Sequence, residues 1–226
     1  MPAIYNRLLA AGYASTYASA SHYNKAWIRD TEDCTNFVSQ ALFFGGWPMT
    51  IGAGDNDVTA WYNLGDSWLG DRWARKYKRS RTWASADNFM RFLQSSGRAR
   101  RCKIDELMIG DVVQHFANGE AHHTMMITAL APSITSTPTT PGLNGIVLLA
   151  SYHSYDKLNV PLTVLNPSKG ENLFWKIFDH VPDTNGMDML RNLTYEKMGA
   201  LEGLEILLGL LSLLNARTKS GKGTEH

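Results

Sequence analysis

Apolar positions change their period once along this chain. Up to about residue 97 they recur at helical spacing, and beyond residue 108 they alternate or run together as in strands. Ile4, Leu8, Leu9, Tyr13 and Tyr17, in an Ala-rich stretch, predict a helix within 4–20. Phe37, Val38, Ala41 and Leu42 predict a second helix, stopped by Gly45-Gly46. Phe89, Met90, Phe92 and Leu93 predict a third, capped by Ser85 and ended by Gly97. Between them, residues 47–82 mix Gly, Asp and Trp and read as loops with short helices. The strand patterns cover 109–116, 123–130, 146–153 and 174–178, with a Pro/Ser/Thr loop over 132–142. Helices first and strands afterwards predict an α+β fold with the second helix packed on an antiparallel sheet.

The end of the chain follows neither pattern. Gly203 to Leu214 reads GLEILLGLLSLL, an apolar run interrupted by Gly209 and followed by a polar tail from Asn215 to His226. At about a dozen residues it is too short to span a bilayer. Residues 1–182 are therefore read as one domain and 183–226 as an appendage. Its expected role is a docking helix, a self-association element or a membrane-interface helix, in that order.

Composition narrows the classes. A net charge of +1 over 226 residues gives no sign of a nucleic-acid binder. The basic stretch Arg72 to Arg81, interleaved with Trp73 and Tyr77 and followed by Trp83, reads as a solvated helix face or the rim of a groove for an anionic polymer. Seven Trp suit either a substrate groove or a core. The two cysteines, Cys34 and Cys102, imply no disulfide framework, and no zinc-type spacing is present. The N-terminus shows no apolar signal-peptide region, so the chain is cytosolic or lacks its leader.

Candidate chemistry centres on Asp33-Cys34. Asp33 is a good N-cap, and Cys34 then lies in the first helical turn, where the helix dipole favours a thiolate. A small apolar Cys in a core helix is the plain alternative. Cys102 has basic neighbours but no helix start. Among the histidines, His22, His180 and His226 lack supporting context, and His115 ends a strand. His123 begins one apolar strand and His153 ends the next, so antiparallel pairing would make them neighbours. With Cys34 beside them, His123 would serve as base and His153 as its orienting partner, Asp156 being the rival for that role. Cys34, His122 or His123, and His153 also suit a zinc site, although adjacent strand histidines should point to opposite faces.

These residues resemble the putative amidase domain family of bacteria, in the NlpC/P60-like branch of papain-fold cysteine hydrolases. The resemblance rests on Tyr5-Asn6-Arg7 with Ala10, Tyr13 and Ala14, on Asp33-Cys34-Thr35-Asn36-Phe37-Val38-Ser39-Gln40 with Gly45-Gly46-Trp47, and on Leu107 with Gly110-Asp111-Val112. It continues through His123-Thr124-Met125-Met126-Ile127-Thr128 and Tyr152-His153 to Pro161-Leu162, covering roughly 4–181. It implies a papain-like fold, Cys34 as nucleophile, His123 as base and His153 as the third residue. It implies amide-bond hydrolysis, commonly in the stem peptides of cell-wall peptidoglycan, with no cofactor and no metal. A cell-envelope or extracellular setting follows by the same resemblance. The oxyanion would be held by the Cys34 backbone N–H and a second donor. An acyltransferase or a binding module on the same scaffold are the competing functions.

Overall fold

A computed structural model describes residues 3–19, 21–25, 27, 29–51, 56–63, 79–133, 142–165 and 169–181. The appendage over 183–226 and most of the basic stretch lie outside these residues, as does most of the loop over 132–142.

The helices are α1 (Arg7–Tyr17), α2 (Cys34–Phe44), α3 (Arg81–Ala84) and α4 (Ala86–Ser95). The strands are β1 (Ala3–Ile4), β2 (Ala99–Arg101), β3 (Val112–Ala117), β4 (Glu120–Pro132), β5 (Ile146–Tyr152), β6 (Lys157–Pro161), β7 (Glu171–Ile177) and β8 (His180–Val181). Six of them form one sheet in the order β2-β7-β3-β4-β5-β6, antiparallel throughout, while β1 pairs with β8. This is the expected α+β arrangement. The predicted strand over 123–130 grows to thirteen residues in β4. The short strands β2 and β6 were not foreseen, because β2 has no large apolar residue and β6, with only Leu158 and Val160, is too short to fix a period.

The sheet is covered on both faces by apolar groups. On the helix side Phe37, Val38, Leu42, Phe89, Leu93, Val112, Met126 and Trp175 belong to one buried cluster. On the other side Val113, Met125, Ile127, Leu148, Ala150 and Tyr152 form a second. Successive strand residues thus divide between two cores, as period-2 geometry requires. The five described tryptophans, Trp27, Trp47, Trp61, Trp83 and Trp175, are all buried. Trp61 and Trp83 lie 4.6 Å apart between ring centroids and Trp27 stacks on Trp83 at 5.4 Å, so these rings build core rather than a groove.

Local chemistry fixes the element ends. Asn6 caps α1 by accepting the Leu9 N–H at 3.1 Å. After α2, Gly46 adopts φ 102°, a conformation open to glycine. Gly45 meets the Tyr5 ring so closely that a side chain would collide with it. Asp111, fully buried, takes Arg7 at 2.6 Å, Lys176 at 3.1 Å and the N–H groups of Met108 and Ile177, which binds α1 to the sheet.

Candidate active site

The N-terminal end of α2 abuts the sheet where β4 begins and β5 ends. Asp33 precedes the helix as expected, and its carbonyl accepts the first helical bond from Phe37 N–H at 2.9 Å. Its carboxylate, however, caps no first-turn N–H. It accepts instead from Asn36 Nδ2 at 2.6 Å, from Asp30 N–H at 3.0 Å and from His153 Nδ1 at 2.5 Å.

His153 is the main correction to the expected triad. Its second nitrogen, Nε2, donates to the Tyr17 carbonyl at 2.6 Å, and its ring stacks on Phe37 at 4.0 Å. Both ring nitrogens are therefore spent, and neither orients His123. The reason is strand parity. Tyr152 belongs to the core on the outer face of the sheet, so His153, one residue on, turns to the helix face. There its two nitrogens meet the Asp33 carboxylate and the Tyr17 carbonyl. Tyr17 is the last residue of α1, so the ring ties the end of that helix to the start of α2. The pairing predicted for the strands themselves holds, since Met126 opposes Ser151 and the start of β4 lies by the end of β5. Asp156 is committed elsewhere, to Arg29 at 2.6 and 2.8 Å.

His123 stands on β4 with Tyr152 edge-on to its ring at 4.9 Å and Tyr155 at 6.2 Å. Its Nε2 is buried and has no hydrogen-bond partner among the described residues. Burial, aided by nearby His115, pushes its pKa down to about 4, so the ring is neutral at physiological pH. A bulge shapes this place. His115 opposes His123 while Phe116 opposes Ala121, which leaves His122 as the extra residue. As a result His122 and His123 both border the same cleft instead of pointing to opposite faces. His122 Nε2 is occupied by the Ala117 carbonyl at 3.0 Å.

That cleft has a volume of about 410 Å³ and is lined by Cys34 and His123 together with Glu32, Met125, Tyr152 and Ser154, among others. Cys34 is nearly buried at 5% exposure. Burial pushes its thiol up, against the low value expected from the helix start. Hydrogen bonds from the Thr124 backbone, from Thr35 and from Ser154 pull the other way. Ser154 adopts φ 75°, a strained conformation for serine, and its Oγ accepts the Asp33 N–H at 3.2 Å. Sequence reading passed over Ser154 because nothing marks a serine in a turn. Cys102 is pushed up to about 11 by burial and by Asp111 and Glu106, which outweigh Arg100 and Lys176. Zinc would need a nitrogen of His153, and both are taken; among the described residues no cluster of His, Cys, Asp or Glu suits a metal.

An α+β domain that brings a thiol and an unpartnered imidazole to one cleft is the class defined by this geometry. Residues 4–176 match the putative amidase domain family, and the chain belongs to that family. It is similar to the uncharacterized protein YhbB of Bacillus subtilis (strain 168), 32% identical over 131 residues, which is 55% of this chain and 37% of YhbB. It is also similar to the uncharacterized protein YjcM of the same organism, 25% identical over 179 residues, 74% of this chain and 35% of YjcM. The chain thus spans little more than a third of the length of the curated relatives it matches. No solved structure matches it.

Proposed function

We propose that this chain is a cysteine-dependent amide hydrolase with Cys34 as nucleophile and His123 as base, acting on peptide of the bacterial cell wall. The observation that carries the reading is the shared cleft: a thiol at a helix start and a desolvated, unpartnered imidazole open into one space. The pair rests as thiol and neutral imidazole, because burial disfavours the charged form of each. A neutral imidazole is the form that can accept a proton. Catalytic hydrogen bonds tighten when substrate enters, so the free cleft need not hold the two in contact.

In the proposed step His123 takes the Cys34 proton as Sγ bonds to the amide carbon. The first-turn N–H of Cys34 lacks a helical acceptor and faces the developing oxyanion. His123 then gives its proton to the leaving nitrogen, the C–N bond breaks and a thioester remains. Water, relieved of a proton by His123, attacks that thioester. The acid leaves, and the proton returns to the sulfur. The reading includes a papain-like, NlpC/P60-type arrangement in which His153 holds the helix start rather than the base. Its test is mass spectrometry of purified muropeptides after incubation with the protein. Cleavage that disappears in Cys34→Ala and His123→Ala supports it, and cleavage that persists in Cys34→Ala overturns it.

A further inference from the structure

A second set of buried polar groups reaches the nucleophile from the opposite side, through the core. Trp175 Nε1 donates to Gln114 Oε1 at 3.0 Å. Gln114 Nε2 donates to the Ala86 carbonyl at 2.9 Å and to Thr124 Oγ1 at 3.1 Å. Thr124 Oγ1 lies 2.8 Å from Thr35 Oγ1, and Thr35 Oγ1 lies 3.7 Å from Cys34 Sγ. Gln114, Thr124 and Thr35 are all fully buried.

The direction of this chain follows from the inventory of donors. An indole N–H can only donate, which fixes the Gln114 amide with its oxygen toward Trp175 and its nitrogen toward Thr124. Thr124 Oγ1 therefore accepts from Gln114. The hydrogen bonds drawn for the Thr124 hydroxyl leave its own proton one acceptor, Thr35 Oγ1. Thr35, accepting from Thr124, in turn has one acceptor for its proton among the described residues, Cys34 Sγ. Each hydroxyl, being polarised by the donor behind it, becomes a better donor to the next.

We propose that Trp175, Gln114, Thr124 and Thr35 form a one-way chain of hydrogen-bond donors ending on Cys34 Sγ, and that it sets the acidity of this thiol. Thr35 touches the sulfur. The Thr124 hydroxyl and Gln114 act through it and are positioning groups, while the Thr124 backbone N–H reaches the sulfur directly. No proton travels along the chain. When the Cys34 S–H bond breaks toward His123, Thr35 keeps its own proton and its hydrogen bond to sulfur strengthens, because the acceptor is now charged. The chain also explains why polar Gln114 and Thr124 interrupt otherwise apolar stretches of β3 and β4. Its importance for turnover rests on the reading of Cys34 as nucleophile, but its effect on the sulfur does not.

The experiment is the pH dependence of Cys34 alkylation by iodoacetamide, followed by peptide mass spectrometry so that Cys102 is read separately. Thr35→Val and Thr124→Val should raise the midpoint by about one pH unit and slow labelling at pH 7 by roughly tenfold. Thr35→Ser and Thr124→Ser, which keep the hydroxyl, should return both to the parent values. Folded Val variants with an unchanged midpoint would overturn the proposal. NMR of the unmodified protein gives an arm that needs no substitution. A slowly exchanging Thr35 hydroxyl proton near the Cys34 Hβ atoms is expected, and one directed at Thr124 would reverse the chain and end the proposal. Muropeptide cleavage that survives Cys34→Ala would remove the hydrolase reading while leaving this measurement valid.

Discussion

His123 and His153 face opposite sides of the sheet within one corner of the molecule, and they have received opposite treatment. His153 has an acceptor on each nitrogen, an aromatic ring stacked on its face and almost no contact with solvent. His123 is desolvated as well, yet its Nε2 meets nothing and its edge opens on the cleft. A buried polar atom without a partner costs about 1–3 kcal/mol, so a fold that tolerates one invites a functional explanation. A ring satisfied at every atom needs none beyond structure. The contrast fits the proposed reading, in which the first histidine does the chemistry and the second braces the fold.

The largest expected effect follows from that division. His123→Ala should lower kcat/KM by on the order of 10³-fold or more, as for a member of a catalytic unit, with little loss of stability. His122→Ala should cost far less, because its Nε2 is held by the Ala117 carbonyl at the bulge. Steady-state kinetics on a cleavable muropeptide decides this. A greater loss in His122→Ala would move the base one residue along β4.

His153→Ala should do the reverse. It leaves the Asp33 carboxylate buried without its partner and frees the junction of α1, α2 and β5. Breaking such a pair costs about 3–5 kcal/mol. Urea unfolding should show that loss, and Asp33→Ala should show a similar one. The double variant should recover part of it, because the two residues are in contact. Independent, additive losses would mean that the pair is not the clamp drawn here.

How much of this was legible in the sequence depends on parity. The helices around Tyr13, Phe37 and Phe89 and the four longer strands were legible, because each repeats its apolar residues often enough to fix a period. Cys34 at a helix start was legible too, as was the adjacency of the β4 start and the β5 end. Which way a side chain points at a strand end was not. One residue separates Tyr152 from His153, and one bulged residue brings His122 to the wall of the same cleft as His123. The Asp33 carboxylate turned from capping to pairing for a reason that lies 120 residues away in the chain. The polar interruptions Gln114 and Thr124 were visible, but their partners arise only from tertiary contact.

The acid range separates the two histidines by a smaller but distinct margin. His123 has a folded pKa of about 4, below the ordinary value of 6.5. Between those values the unfolded chain binds a proton at this position and the folded chain does not. Stability therefore falls as pH drops from 6.5 toward 4, by roughly 3 kcal/mol at full extent, and this site adds no pH dependence above 6.5. His123→Gln should flatten that part of the stability profile in urea titrations at pH 7 and 4.5. Turnover limited by a neutral His123 should likewise persist to lower pH than an unperturbed histidine allows. An acid limb centred near 6.5 would place the working base in a more solvated environment.

The smallest effect is expected where the sequence offered a rival. Asp156 lies three residues beyond His153 and was the alternative partner for the base, yet its carboxylate pairs with Arg29 in a bridge 29% and 21% exposed. Pairs of that exposure contribute about 0–1 kcal/mol. Asp156 also sits at φ 50°, where asparagine is as comfortable as aspartate, so Asp156→Asn removes the charge and leaves the backbone unstrained. The melting temperature should move by only a few degrees, and kcat/KM should stay within a few-fold of the parent. Because Ser154 and Tyr155 line the same cleft as Cys34, a modest change is compatible with the loss of one tether. A hundredfold loss of kcat/KM at unchanged stability is not: it would return Asp156 to the catalytic unit and dissolve the distinction between the two histidines, since the base would then have a charged partner after all.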